Sequence, residues 1–345
     1  MFWSGLDIGI DLGTASVLVY VRGRGIVLRE TSVVAFDEET GRVVAVGDQA
    51  RDMIGRNPSC YRVVRPMKDG VIADYDVTLT MLRYLISRVA GKRPLLRPRV
   101  AVCVPARVTS VERRAVLEAT VEAGAKQTFL IEEPMAAAIG AGLDVSGPVG
   151  NIIVDVGGGT TDIAVISLGG LVVCDSLRVG GDKCDDAIIR FVRKEHNLMI
   201  GDRTAEEIKI RIGAAIPGIC DLWMEVRGRD LVTGLPRVVT ITSDDVAAAL
   251  AEPIGAMVEG VRGVLERTPP ELSVDIADRG IVLTGGGSLL KGFDRLLSDE
   301  TGVPACVAED PITCVVRGTG KFLEGLEGMR GRAVREGMVV ASRSV

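Results

Sequence analysis

The chain has 345 residues, enough for about two domains with a full core each. Hydrophobic residues make up 47%, charged residues 25% and aromatics only 3%, so the protein is globular with aliphatic cores. A net charge of −5 argues against a general nucleic-acid binder, and no nucleic-acid partner is expected.

Residues 8–21, IGIDLGTASVLVYV, have the pattern of a strand, Asp11, a glycine, small hydroxyl residues and a second strand. More antiparallel strands are expected at 31–36 and 43–46, around the turn 37–41. The loop PMKDGVIAD at 66–74 enters a helix at 76–89, whose Val77, Met81, Leu82, Leu85, Ile86 and Val89 share one face. GKRPLLRP at 91–98 interrupts the pattern. A buried strand at 100–104 closes at Pro105, and Thr109-x-x-Glu112 is a capping box for a helix at 111–123. After a short strand at 129–131, Glu132-Glu133-Pro134 opens a helix of small residues, MAAAIGAGL, with proline in its first turn.

Residues 151–167, NIIVDVGGGTTDIAVIS, repeat the first motif. Ile152, Ile153, Val154 and Val156 read as a buried strand that ends at Asp155. Gly157, Gly158, Gly159, Thr160 and Thr161 turn the chain, and Ile163, Val165 and Ile166 resume the strand. Glycines leave backbone N–H groups open to an anion, and an aspartate at a strand end can approach a hard cation riding on that anion. Because a strand follows the glycines, this is neither a dinucleotide fingerprint nor a Walker loop, and no G-x-x-x-x-G-K-[ST] occurs. Either hairpin alone could carry an incidental aspartate. Two copies, with Asp11-Leu12-Gly13 overlaying Asp155-Val156-Gly157, point to an internal duplication in which each half offers an acid and a phosphate cradle to a shared cleft.

Further along, strands are expected at 171–176 and 177–179. Gly180-Gly181-Asp182 leads into a helix carrying Ile188, Ile189 and Val192. Thr204-x-x-Glu207 has the pattern of a capping box on a helix at 205–212. A polar hairpin lies within 221–242, and Ser243 caps a helix to about 266 that Pro253 kinks. A strand at 280–283 and a glycine turn at 284–287 precede a helix at 288–297, whose N-terminus faces the turn in the helix-dipole arrangement. The tail from about 324 is expected to fray. Seven cysteines without a C-x-x-C pair are expected as reduced core thiols in a cytosolic protein, with no zinc site, and the sole histidine, His196, argues against histidine-based nucleophilic catalysis. No apolar run reaches about 18 residues, and Met1-Phe2-Trp3 lacks the basic start of a signal peptide.

These segments resemble the actin/DnaK-type chaperone/hexokinase superfamily and, within it, the MreB group of bacterial actins. The likeness runs from about residue 6 to 322 through IDLGTAS, RPMKDGVIAD, CVPARVTSVERRA, FLIEEPMAAAIGAGL, VDVGGGTTDIAVIS, VGGDKCDDAI, AEEIKIRIG and VLTGGGSLL. It implies an α/β actin-like ATPase fold of two related lobes around a nucleotide cleft, each with a ribonuclease-H-like mixed sheet. The first lobe would span 1–145, the second 146–322, and the tail 323–345. Asp11, Gly13, Thr14, Ala15 and Ser16 would form one phosphate loop and Gly157–Thr160 the other, with Asp11 and Asp155 organising Mg²⁺ through waters. Glu206, Glu207, Ile208 and Lys209 would hold the ribose and adenine of ATP or ADP, with Gly286, Gly287, Ser288 and Leu289 on the far side of the base. Glu133, with Thr160, would position the attacking water for slow hydrolysis, as suits phosphoryl transfer. Glu132 competes for that role on pattern alone, and Glu133 could instead complement its helix dipole. Ser16 stands where the family usually has asparagine, Asp162 where glutamate is common, and Pro105-Ala106-Arg107 in place of a more glycine-like turn.

The resemblance also implies a cytoplasmic, filament-forming protein, peripheral on the anionic inner face of the cell membrane, working with the cell-wall elongation machinery in rod shape. Relatives dip an apolar pair into the membrane from the loop matching 92–99, which points to Leu95 and Leu96. Those leucines could equally cover the lobe's own core. The chain lacks the longer basic amphipathic N-terminal helix that some relatives use as an anchor. A two-lobed sugar-kinase-like phosphotransferase is the alternative function; a chaperone is less favoured because no peptide-binding domain follows.

Overall fold

The computed structural model describes residues 6–91, 97–325 and 340–342. Leu95 and Leu96, with Lys92 and Arg93, lie outside the described residues, as does Met1-Phe2-Trp3.

The first half begins with three antiparallel strands, β1 (Asp7–Leu12), β2 (Ser16–Val21) and β3 (Gly25–Thr31). A small sheet follows from β4 (Val34–Asp37), β5 (Val43–Val46) and β6 (Tyr61–Val64), with the one-turn helix α1 (Asp48–Arg51) between its last two strands. The two-residue strands β7 (Met67–Lys68) and β8 (Val71–Ile72) make a tight hairpin. Helix α2 (Tyr75–Ala90) starts where Asp74 accepts the Val77 N–H, and the expected apolar face is buried except for Val89, which is half-buried. Strand β9 (Arg99–Val104) runs parallel to β1. Helix α3 (Ser110–Glu122) opens with the expected Thr109–Glu112 capping box; β10 (Gln127–Glu132) and α4 (Glu133–Ala141) follow.

The second half repeats this order with β11 (Asn151–Val156), β12 (Thr161–Ser167) and β13 (Gly170–Leu177), a single strand where two were expected. Helix α5 (Gly181–His196), β14 (Leu198–Met199) and α6 (Asp202–Ile212) come next. Thr204 does not cap α6: the helix already starts at Gly201, and Thr204 donates its own N–H to the Gly201 carbonyl within the first turn. Strands β15 (Trp223–Asp230) and β16 (Pro236–Thr242) are the expected hairpin. Helix α7 (Ser243–Glu266) continues through Pro253, and its cap is Thr242 in a capping box with Asp245, one residue before the expected Ser243. Ser243 instead donates its hydroxyl to the Cys220 carbonyl at 2.7 Å.

Helix α8 (Pro270–Arg279) leads to β17 (Ile281–Thr284). The helix expected at 288–297 is not formed. Gly286–Leu289 is a short 3-10 turn, and Gly292, in the left-handed region at φ 77°, restarts the chain as α9 (Phe293–Thr301). Strand β18 (Ala305–Val307) and helix α10 (Cys314–Gly325) follow. In the tail expected to fray, Val340–Ser342 is a strand, β19, paired antiparallel with Gln127–Phe129.

The large sheets have the orders β19-β10-β9-β1-β2-β3 and β13-β12-β11-β17-β18. Each therefore places an acid hairpin, β1–β2 or β11–β12, beside a parallel strand, β9 or β17, and each packs on its own aliphatic core. Between the sheets, α10 crosses α4 at backbone contact. A Cβ on Gly318 would lie 1.7 Å from the Ala136 carbonyl oxygen, so only glycine allows this approach.

Candidate functional site

Strand ends from both sheets meet at one cavity of about 650 Å³. Its walls begin with the loop between β11 and β12. The Gly157 and Gly158 carbonyls accept from the Gly181 and Asp182 N–H groups, at 3.0 and 2.8 Å, at the start of α5. In a trans peptide the following N–H points the opposite way, so the Gly158 and Gly159 N–H groups face away from α5. Among the described residues neither finds a partner. A pair of adjacent unpaired amides in a glycine turn is an anion cradle. The cradle is closed by the other hairpin: a Cβ on Gly158 would meet Ala15 Cβ at 2.6 Å, and one on Gly159 would meet Thr14 Oγ1 at 2.5 Å. Thr14 Oγ1 in turn accepts the Gly70 N–H at 3.1 Å from the β7–β8 turn.

Acids line the floor. Asp11 and Glu133 are partly exposed and line the cavity, Asp155 is buried at its edge, and Asp162 is fully buried behind it. Desolvation pushes Asp155 up to about 7, against the pull of the Thr284 hydroxyl that donates to it at 2.7 Å. Asp11 is pushed up to about 6 by the same cause, offset by the Cys103 thiol at 3.4 Å. Glu133 is held well above the carboxylate range by desolvation and then by the negative charges of Asp162, Asp11 and Asp155. Asp162 is also raised by desolvation, opposed by the Ala106 N–H that it accepts at 3.0 Å. Among the described residues no lysine or arginine pairs with any of these acids. Uncompensated negative charge beside an anion cradle calls for a cation between them. No group of three His, Cys, Asp or Glu side chains among the described residues is placed to hold a metal directly.

The competing acids separate clearly. Glu132 turns to α3 and accepts from Arg113 at 3.0 Å, whereas Glu133, the first residue of α4, faces the cavity. Thr160 lines the cavity as well.

On the opposite wall the predicted residues divide. Glu206, Lys209, Gly286, Gly287 and Leu289 line the cavity; Glu207, Ile208 and Ser288 do not. Glu207 lies outside, paired with Arg211 at 3.0 Å; Ile208 is in the core; Ser288 donates to the Gly285 carbonyl at 2.7 Å. Lys209 bonds the Gly181 carbonyl and Asp185, each at 2.8 Å, tying α6 to the start of α5. The third glycine turn has no α-helix N-terminus behind it, only the 3-10 turn, so the helix-dipole arrangement expected there is absent. Sequence reasoning missed Arg29, Glu30, Thr31, Asp48 and Arg51, which line the cavity from β3 and α1. No local motif marks them, because they reach the site only through the packing of α1 on β3.

Residues 5–331 match the family model described as MreB/Mbl protein. The chain belongs to the MreB/Mbl family. It is 51% identical to the cell shape-determining protein Mbl of Bacillus cereus, covering 95% of this chain and 99% of that one. It is 54% identical to the cell shape-determining protein MreB of Escherichia coli K12, covering 93% and 94%. Among solved structures, MreB5 of Spiroplasma citri bound to AMPPNP superposes with a TM-score of 0.90 at 38% identity, over 94% of this chain and 98% of that one. A MamK double helical filament, at 23% identity, matches with a TM-score of 0.80 over 92% and 98%, a likeness of fold. The fold is the actin-like ATPase fold, two related lobes around a cleft, and the MreB/Mbl chain described here is a bacterial actin of the cytoskeletal type.

Proposed function

We propose that this MreB/Mbl-family chain binds ATP and ADP with Mg²⁺ in the cleft, hydrolyses ATP slowly and polymerises into filaments on the inner face of the cell membrane, organising lateral cell-wall synthesis and rod shape. The observation that carries the nucleotide reading is the pair of acid hairpins facing one cavity, with unpaired amides of Gly158 and Gly159 beside unneutralised Asp11 and Asp155. In this reading the phosphates lie against the two glycine loops, and Asp11 and Asp155 hold the waters of the metal. The ion supplies charge neutralisation to the phosphate oxygens. Glu133, with Thr160, orients the attacking water. The ribose and base lie between Glu206 and Lys209 on one side and Gly286, Gly287 and Leu289 on the other. Self-association is part of this reading through membership of the MreB/Mbl family.

Among the described residues no helix is long and apolar enough to cross a membrane; attachment is proposed through the segment 92–99, on the family resemblance. Leu95 and Leu96 could contribute about 1.5–3 kcal/mol each on insertion. Each neighbouring cation adds on the order of 1 kcal/mol at an anionic surface. Those sums are comparable to the cost of immobilising one molecule, so a monomer should bind only weakly, and a filament presenting many such segments makes later contacts intramolecular. Electron microscopy and co-sedimentation of the purified protein with Mg-ATP and anionic vesicles test the proposal. Filaments that coat vesicles are expected, and Leu95→Ser/Leu96→Ser should form filaments that stay free of lipid. ATP turnover without any assembly, dependent on a small-molecule acceptor, would overturn the cytoskeletal reading in favour of a phosphotransferase.

A further inference from the structure

Across the mouth of the cavity, α1 of the first lobe meets α6 of the second. Arg51, the last residue of α1, pairs with Glu206 of α6. Asp52, the next residue, accepts from Arg203 of α6 at 3.1 Å. Residues 203 and 206 are three apart on a helix and so share one face. The charges are reciprocal: plus then minus on the first lobe meets minus and plus on α6, between segments more than 150 residues apart in sequence.

Both sides of this contact are tethered to the site. Asp48 of α1 accepts from the Thr31 N–H and hydroxyl, at 3.2 and 2.6 Å, and donates its N–H to Glu30 at 3.2 Å, so α1 moves with β3. Helix α6 is tied through Lys209 to Gly181, whose N–H holds the Gly157 carbonyl of the phosphate cradle. Opening the cleft at this mouth therefore separates both ion pairs. Their side chains are 33–69% exposed, so each pair is weak alone and sensitive to salt. Weak pairs acting together suit a contact that must open in every cycle.

We propose that Arg51–Glu206 and Asp52–Arg203 form a clasp that closes the cleft over bound nucleotide and sets the rate at which it leaves. The inference rests on the nucleotide reading of the cavity. Arg51 acts in it as a positioning residue for Glu206; Asp52 and Arg203 do not line the cavity and act only through closure.

The test is the release of N-methylanthraniloyl-ADP with Mg²⁺, chased with excess ADP at low ionic strength. Arg203→Asp and Asp52→Arg should each release it roughly fivefold faster, the factor expected for loss of one exposed pair with like charges left facing. Asp52→Arg/Arg203→Asp should return to the parental rate, which a folding defect in the single variants would not do. Added salt should speed release from the parent and leave Asp52→Asn/Arg203→Gln less responsive. Parental rates in both single variants, a double variant as fast as either, or salt-independent release from the parent would each overturn the clasp. A parent that binds no N-methylanthraniloyl-ADP would overturn the nucleotide reading itself.

Discussion

The hairpins β1–β2 and β11–β12 begin alike, each with its aspartate one residue before the end of the inner strand and glycine just past it. They differ in what stands opposite the acid. Asp11 pairs in register with Leu18, whereas Asp155 pairs with Asp162. They also differ in what the glycines are for. A Cβ on Gly13 would strike Ser16 O, 2.7 Å away within its own turn, while Cβ atoms on Gly158 and Gly159 would strike the other hairpin. The first loop is thus shaped by itself and the second by the first. The second hairpin also bears the larger electrostatic load, with Asp155 near 7 against about 6 for Asp11.

The largest expected effect breaks the contact between the loops. Gly158→Val puts a branched side chain where Ala15 and the anion cradle lie, and ATP binding should fall by a thousandfold or more (roughly 4 kcal/mol). Calorimetric titration of a variant shown to be folded checks this; parental affinity would mean that the loops do not share a ligand.

The acids should differ next, in protein free of nucleotide and metal. A carboxyl raised from 3.8 to about 7 in the folded state destabilises it by up to roughly 4 kcal/mol once ionised, and one raised to about 6 by roughly 3. The sign follows from proton binding: the folded state holds these protons more tightly, so their stabilisation is complete below pH 3.8 and is lost as pH rises through 6 and 7. Melting at pH 8 should therefore be raised by Asp155→Asn more than by Asp11→Asn, and the gain should shrink towards pH 4. Equal gains at both pH values would remove the electrostatic difference between the hairpins.

Glu133→Ala should leave ATP binding nearly unchanged and slow hydrolysis by roughly a hundredfold, about 2.7 kcal/mol. Single-turnover phosphate release measures it, and a parental rate would reduce Glu133 to a helix-terminal acid. The smallest effects concern the partners of the two aspartates. Thr284→Val removes a hydroxyl donor from Asp155 and should move the upper edge of the pH-dependent melting up by about one pH. Cys103→Ala, which removes a weaker thiol donor from Asp11, should move it less.

Both hairpins were legible because everything that defines them is local: an apolar run, an acid at its end and glycines. The pairing of Asp155 with Asp162 follows from a turn over 157–160, one residue shorter than the sequence pattern suggests, because Thr161 already belongs to the strand. Local cues failed where they competed. Thr204 fits a capping pattern, but Gly201 starts α6 first; at α7, Thr242 with Asp245 took the cap expected of Ser243. The apolar run after Ser288 resembles one helix until Gly292 breaks it with a left-handed conformation. The ion pairs between α1 and α6 and the β19–β10 pairing join segments more than 150 residues apart, which no local pattern encodes.

The central claim is that both hairpins hold one nucleotide and its metal. Crystals grown with AMPPNP and Mn²⁺ test it most directly, because manganese gives an anomalous signal at its own position. The expected result is one peak between the Asp11 and Asp155 carboxylates, with phosphate density against Gly158 and Gly159. A peak beside one hairpin only, or nucleotide bound away from both, would contradict it.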